Sequence, residues 1–377
     1  MIKGCFLTTK NMEICKKEEY GIYKKIMSQY SAFKEKYDMM ILAEGWKKNT
    51  FRKMLARLPF FPNSFSLSKH KIPSDIDFLF FRFDLGDRQT INFLKGVKIK
   101  NPNCKIIIEV PTYPLQWEKL KWYTKITKPK HSYCESKLKE VADVAVVYDK
   151  RDLIFGIETI KASNGLMIDN CVENYISKKD TTDINVLSVS SMSTLHGLDR
   201  FIDGMGQYYL HGGKRNIYFH IVGNGSEMNH CHNLVNKYSL QNNVFFYGYK
   251  VGDELSEIRK LCDVGVDMLG GHRIKDANFS STLKSREYWA EGKPIISSAF
   301  YSEEVSEISD YIYRVPSNET PVNISDFVGF YDRLFDCGKA EKKVCVGLKI
   351  QRFAKEHYDI RIALLPIFDY INNFCKK

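Results

Sequence analysis

Eleven short apolar runs, separated by polar stretches of helical period, constrain the fold of this chain more than any other feature. They are IKGCFLT, DMMILAE, DFLFFRF, KIIIEV and DVAVVYD, then INVLSVS, IYFHIVG, VFFYGY, CDVGVDML, KPIISS and YIYRV. Runs this short and this continuously apolar suit strands buried on both faces of a parallel sheet, and parallel strands need helical crossovers between them. The polar stretch SNGLMIDNCVENYISKKDTTD, Ser163 to Asp183, divides the series and reads as a structureless linker. The expected fold class is therefore α/β, with two Rossmann-like domains in tandem over residues 1–167 and 168–355. Residues 356–377 form a C-terminal helix expected to pack back on the first domain. A chain of 377 residues is long enough for two such cores. Ligands of sheets like these bind outside the carboxyl ends of the strands, which places the site in a cleft between the domains and directs attention to the loops that follow each strand.

Composition narrows the setting. No apolar run approaches the roughly 18 residues that cross a bilayer, and the start MIKGCFLTTK lacks a signal-peptide core, so a cytoplasmic protein is expected. The ten cysteines are dispersed without a C-x-x-C pair, which fits a reducing compartment and offers no metal site. Charge is uneven. Residues 1–167 hold 31 Lys and Arg against 18 Asp and Glu, a net of +13, whereas the remainder holds 25 against 27. An excess confined to one half points to an anionic partner for that half. Nucleic acid is disfavoured, because no recognisable module for it is present and the basic excess stops at residue 167. A membrane surface suits the segment GWKKNTFRKMLARLPFF, Gly45 to Phe61. There Phe51, Met54, Leu55 and Leu58 recur at helical spacing and Lys47, Lys48, Arg52, Lys53 and Arg57 fill the other faces. The alternative for the same stripe is packing on the domain's own sheet.

The loops of the second half carry the chemistry. Gly197 opens a helix after INVLSVS, where backbone N–H groups and the helix N-terminus favour an anion. Gly223-Asn224-Gly225 follows IYFHIVG, but Met228 occupies the third glycine position of a dinucleotide fingerprint, so a tight turn is the reading. Tyr249 ends VFFYGY, and Arg273 lies in GGHR just before SSTLKSREYWAEGKPII. In that last stretch Ser281, Thr282 and Leu283 open a helix, Lys284 and Glu287 share a face, and Gly292 stops it. Such charges form surface ion pairs in one reading. In the other, Arg273, Lys284, the helix amides and the Gly197 turn cradle a diphosphate, while Glu287 reaches a vicinal diol such as ribose.

These blocks resemble the retaining GT-B glycosyltransferases of the family-four type. The matching stretches are VLSVSSMSTLHGLDRFIDGM, HIVGNGSEM, NNVFFYGY, ELSEIRKLCDVGVDML and LKSREYWAEGKPIISS. The last of these, with GGHR, IIIEVPTYP and IFGIETIKASNG, resembles a subgroup from bacterial surface-polysaccharide clusters. The resemblance implies a nucleoside-diphosphate-sugar donor on the second domain and a glycan or lipid-linked acceptor on the first. Retention of configuration and independence of a bound metal are also implied; no cofactor is expected, and the charge of the first half adds an anionic membrane surface on the cytoplasmic side as an expected partner. Glu287 matches the second Glu of the E-x7-E motif; the first falls at Phe279. His196 stands where the family has Lys, and Ser190 where it has Arg, so Arg273 and Lys284 are expected to supply the positive charge. In the first half Glu109, Thr112 and Tyr113 are the polar groups at the corresponding strand end. Glu109 is either an acceptor-side base or a loop anchor, and Thr112 and Tyr113 are expected to contact acceptor. Since three motif residues are missing, the competing reading is a catalytically degenerate partner subunit that binds without turnover.

Overall fold

The computed structural model of the protein describes residues 1–43, 54–61, 73–111, 113, 122–168, 176, 179–273, 282–299 and 306–375. They form two compact units, Met1–Ser163 with Ala363–Lys377, and Asn164–Ile362.

The first unit is built on β1 (Lys3–Thr8), β2 (Asp38–Ala43), β3 (Phe78–Arg82), β4 (Lys105–Glu109), β5 (Val144–Val147), β6 (Leu153–Ile154) and β7 (Ile157–Lys161). Their order is β2-β1-β3-β4-β5-β7-β6, parallel except for the β6–β7 hairpin. Its helices are α1 (Met12–Glu18), α2 (Tyr20–Lys36), α3 (Arg88–Lys100), α4 (Trp122–Lys137) and, from the far end of the chain, α11 (Leu365–Cys375). Side chains alternate across the sheet. Phe78 and Phe80 meet Phe33 of α2, with ring centroids 6.0 and 4.8 Å apart. Leu79 and Phe81 join Ile91 and Leu94 of α3 in the other core. A one-residue slip of β3 would exchange the two faces. On the α2 side, Phe368 of α11 packs edge-on to Phe33 at 5.3 Å and to Tyr37 at 5.9 Å.

The second unit carries β8 (Ile184–Val189), β9 (Ile217–Val222), β10 (Val244–Phe246), β11 (Val264–Val266), β12 (Ile295–Ser297) and β13 (Ile312–Arg314), all parallel in the order β10-β9-β8-β11-β12-β13. Its longer helices are α5 (Leu198–Leu210), α6 (Met228–Lys237), α7 (Gly252–Leu261), α8 (Leu283–Ala290), α9 (Ile324–Phe335) and α10 (Ala340–Tyr358). The strand order reverses between β8 and β11, which makes their carboxyl ends the expected ligand edge. Arg286 of α8 is fully buried, its guanidinium 3.4 Å from the ring centre of Tyr358 and 5.0 Å from that of Trp289. Cation–π contact on two rings helps to accommodate this buried cation.

The start of the expected linker is structured. Leu166 N–H donates to Tyr358 O, Leu166 O accepts from Ile360 N–H, and Ile168 is buried in the second core. An apolar Leu and Ile within an otherwise polar stretch give it something to dock with. The second unit continues to Ile362, and the chain joins the first unit from Ala363.

Candidate functional site

At the β8/β11 edge the two loops are fastened backbone to backbone. Leu269 N–H donates to His196 O and Gly270 N–H to Leu195 O, at 3.1 and 3.0 Å. Gly197 ends the 3-10 turn Thr194–His196 with φ +60°, and a Cβ there would stand 2.6 Å from Gly270 N. Only glycine fits both the left-handed backbone and the approach. Gly223 is constrained in the same way. Its φ is +122°, a Cβ would lie 1.8 Å from Ser190 O, and its N–H donates to Gly248 O at 2.7 Å. The Gly-Asn-Gly turn therefore serves close packing of neighbouring strand ends; Asn224 on this turn and Tyr249 after β10 are both exposed.

Helix α8 starts against the same edge. Thr282 caps it, accepting from Ser285 N–H at 3.2 Å and donating its hydroxyl to Asp267 Oδ1 at 2.7 Å, and Leu283 is its first residue. Ser281 lies outside the described residues. Asp267, fully buried just after β11, also accepts the Lys284 ammonium on its backbone carbonyl. Burial pulls Lys284 down to about 8, opposed by the charge of Asp267. His196 faces the same ammonium: burial first, then Lys284, push its pKa down to about 3. Ser193 N–H donates to His196 Nδ1 at 3.1 Å, so the neutral ring carries its proton on Nε2. The edge thus gathers two helix N-termini, one cation and one neutral N–H donor.

The carboxylates of this stretch, Glu287 in α8 and Glu291 just after it, are paired with a cation of the neighbouring helix. Arg259 of α7 donates to Glu287 Oε2 at 2.8 Å and also to Glu291, and Lys293 stands 3.5 Å from Glu291. The helix divides its charges: Lys284 goes to the strand ends, whereas Glu287 and Glu291 share Arg259. Arg273 is also committed to protein groups. Its guanidinium donates to Thr194 O, to both oxygens of Asp199, at 2.9 and 2.7 Å, and to Glu319. Glu319, though mostly exposed, is held down to about 2 by Arg273 and then His272. Arg273 thereby ties the 3-10 turn and the start of α5 to the loop after β13. Arg200 reinforces this from below, donating to Leu269 O, Thr320 O at 2.8 Å and Pro316 O at 2.9 Å. Sequence reasoning missed Asp199, Arg200, Asp267 and Glu319. Asp267 had a signal, a single carboxylate interrupting the apolar VGVDML; Glu319 had none.

In the first unit Glu109 ends β4 opposite Arg82 of β3 and is fully buried. Arg82 Nη1 donates to it at 2.8 Å and Gln29 Nε2 at 2.7 Å, and the Tyr148 hydroxyl donates as well. Burial raises its pKa, but Arg82 and Lys25 outweigh that and leave it lowered. Burial holds Lys25, 4.5 Å over the Tyr148 ring, to about 7. Glu109 is thus an ionised partner for buried Arg82, and for Lys25 when that lysine is protonated. Tyr113 is partly exposed beside it in sequence, packed edge-on to Phe155 at 5.4 Å, with the Arg151 guanidinium 4.9 Å from its ring centre. Thr112 lies outside the described residues.

Residues 173–312, in the second unit, match the family model of glycosyl transferases group 1. The glycosyltransferase from Rickettsia africae ESF-5 superposes with a TM-score of 0.59 at 14% identity, covering 100% of this chain and 99% of that one. Anabaena HepE in complex with UDP-glucose gives 0.54 at 12% identity, with 100% of both chains covered, and HepE with UDP gives 0.54 at 12%, covering 99% and 100%. The fold is GT-B. No protein of curated function matches the chain by sequence. Among the described residues no helix of this GT-B chain is long and apolar enough to cross a membrane.

Proposed function

We propose that the chain transfers a glycosyl group from a nucleoside-diphosphate sugar to a glycan or lipid-linked acceptor during surface-polysaccharide assembly, with retention of configuration and without cofactor or metal. The observation that carries the reading is the gathering of Lys284, His196 Nε2–H and the N-termini of α5 and α8 at the β8/β11 edge. In the reaction the anomeric carbon–oxygen bond breaks with its electron pair going to the diphosphate, the acceptor hydroxyl bonds the same carbon, and its proton leaves with the diphosphate. Charge develops on the departing diphosphate oxygen. Lys284 meets it with a full charge, His196 with a neutral hydrogen bond, and the helix amides with oriented dipoles. Arg273 acts one step back by fixing the turn that presents His196 and Gly197. The UDP and UDP-glucose complexes of the similarly folded HepE support a uridine nucleotide as the first donor to try.

The decisive experiment incubates the pure protein with radiolabelled nucleotide sugars and candidate acceptors. Transfer or donor hydrolysis supports the enzyme, and tight nucleotide binding without either would indicate the degenerate partner subunit. The basic excess of residues 1–167 supports attachment to the inner face of the plasma membrane. Of the basic segment Gly45–Phe61, only residues 54–61 are described. Flotation with anionic and neutral liposomes tests the attachment, and equal recovery with both would reject it.

A further inference from the structure

We propose that a depression on the first unit binds sugar residues of the acceptor through an aromatic wall and a polar wall, so that the acceptor is an oligosaccharide recognised by its glycan part. The proposal rests on the glycosyltransferase reading above and specifies its acceptor. The depression has a volume of about 530 Å³, within the range of about 300–1,000 Å³ usual for small-molecule sites. Its place in the fold suits a ligand. β3 ends at Arg82 and α3 begins at Arg88, so the start of α3, which forms one wall, stands at the carboxyl end of the sheet.

The opposite wall is aromatic. Phe60 is 94% exposed and Phe61 44% exposed, and Tyr133 of α4 is also exposed beside them. These rings are held in place from below: Lys130 of α4 donates to Ala56 O at 2.7 Å and to Phe61 O at 3.0 Å. On the facing wall Arg88 and Asn92 stand one turn apart, both exposed, and among the described residues neither side chain has a hydrogen-bond or ion-pair partner.

A pyranose presents an apolar C–H face and a rim of hydroxyls. The face packs on an exposed aromatic ring, and the hydroxyl rim pairs with planar amide and guanidinium groups. An acyl or isoprenoid chain would instead need a continuous apolar lining, yet five of the nine lining residues are polar or charged. A polyphosphate is disfavoured too. The Asp87 carboxylate lies in the wall and caps α3, while Lys130 is already bonded to backbone carbonyls. A neutral or weakly charged glycan is the occupant that satisfies both walls.

The test uses the full chain with uridine diphosphate present, titrated with neutral tetrasaccharides of glucose, galactose and N-acetylglucosamine. Binding is read by saturation-transfer NMR and calorimetry. At least one tetrasaccharide should bind, and Phe60→Ala and Asn92→Ala should each weaken it by about tenfold, the scale of one aromatic contact or one hydrogen bond. Both side chains are exposed, so folding and nucleotide affinity should stay unchanged. No binding by any tetrasaccharide, or binding that both variants retain in full, overturns the proposal. So does Phe60→Ala abolishing liposome flotation while leaving sugar binding intact, which would make this a lipid surface. Failure of the nucleotide titration itself would reject the glycosyltransferase reading separately.

Discussion

Lys284 offers a quantitative test of the diphosphate edge. Its pKa in the folded chain is about 8, against an ordinary 10.5, because burial penalises the ammonium and Asp267 only partly compensates. About a tenth of the ammonium remains charged at pH 9 and about a hundredth at pH 10. A diphosphate paired with it restores its proton, so nucleotide affinity should fall about tenfold per pH unit above 8, about 1.4 kcal/mol for each unit. Calorimetric titration with uridine diphosphate at pH 7, 8, 9 and 10 and constant ionic strength measures this. The window from pH 8 upward is clean at its lower end, since a phosphate's last ionisation, half complete near pH 6, is finished by about pH 8 and His196, held to about 3, stays neutral throughout. In Lys284→Arg the charge persists to high pH, and the profile should flatten even if affinity at pH 7 is lower. Stability should respond with the opposite sign. A lysine whose folded pKa lies below its unfolded value binds fewer protons when folded, so its contribution to stability grows as pH rises from about 8 to 10.5. A flat wild-type profile, or a slope that survives in Lys284→Arg, would refute the assignment.

Glu109→Gln should cost the first unit about 3–5 kcal/mol, because Arg82 is left as a buried uncompensated cation, with the loss growing as pH falls below about 7, where Lys25 is driven to protonate as well. Amide hydrogen exchange in β4 measures it, and an unchanged exchange rate would favour a catalytic over an anchoring carboxylate. Gly197→Ala should destabilise the second unit by about 1–3 kcal/mol and weaken nucleotide binding, since the left-handed backbone and the 2.6 Å approach to Gly270 leave no room for a methyl group; thermal unfolding with and without uridine diphosphate reads both effects. Transfer activity should survive EDTA, and loss restored by magnesium or manganese would assign the leaving-group charge to a metal instead.

The strands were legible because continuous apolar runs such as KIIIEV and CDVGVDML admit few other readings, and each named run is a strand. The hairpin β6–β7 was not read, because ETIK alternates and its partner is only two residues long. At the site, glycine positions were readable from turn chemistry, since Gly197 and Gly223 sit where backbones touch. The direction of charged side chains was not. Spacing along α8 puts Lys284 and Glu287 on neighbouring positions, but it does not show that Glu287 is paired with Arg259 of α7, 28 residues earlier. Glu109 shows the same limit: a Glu at a strand end looks available until Gln29 and Tyr148, 80 and 39 residues distant, close over it.

The last helix imposes an order on how the chain can be made. Tyr37 bonds to Phe368 and Asn372, more than 330 residues later, and Phe33 shares the same aromatic cluster. At about 5–20 residues per second, synthesis takes roughly 15–70 s to travel that distance. Throughout that interval the first unit to emerge lacks the helix that covers Phe33 and Tyr37, and the second unit, contiguous from Asn164 to Ile362, is whole before that helix has been made. The half made first is therefore finished last, and its aromatic face is the surface a nascent-chain chaperone would have to guard.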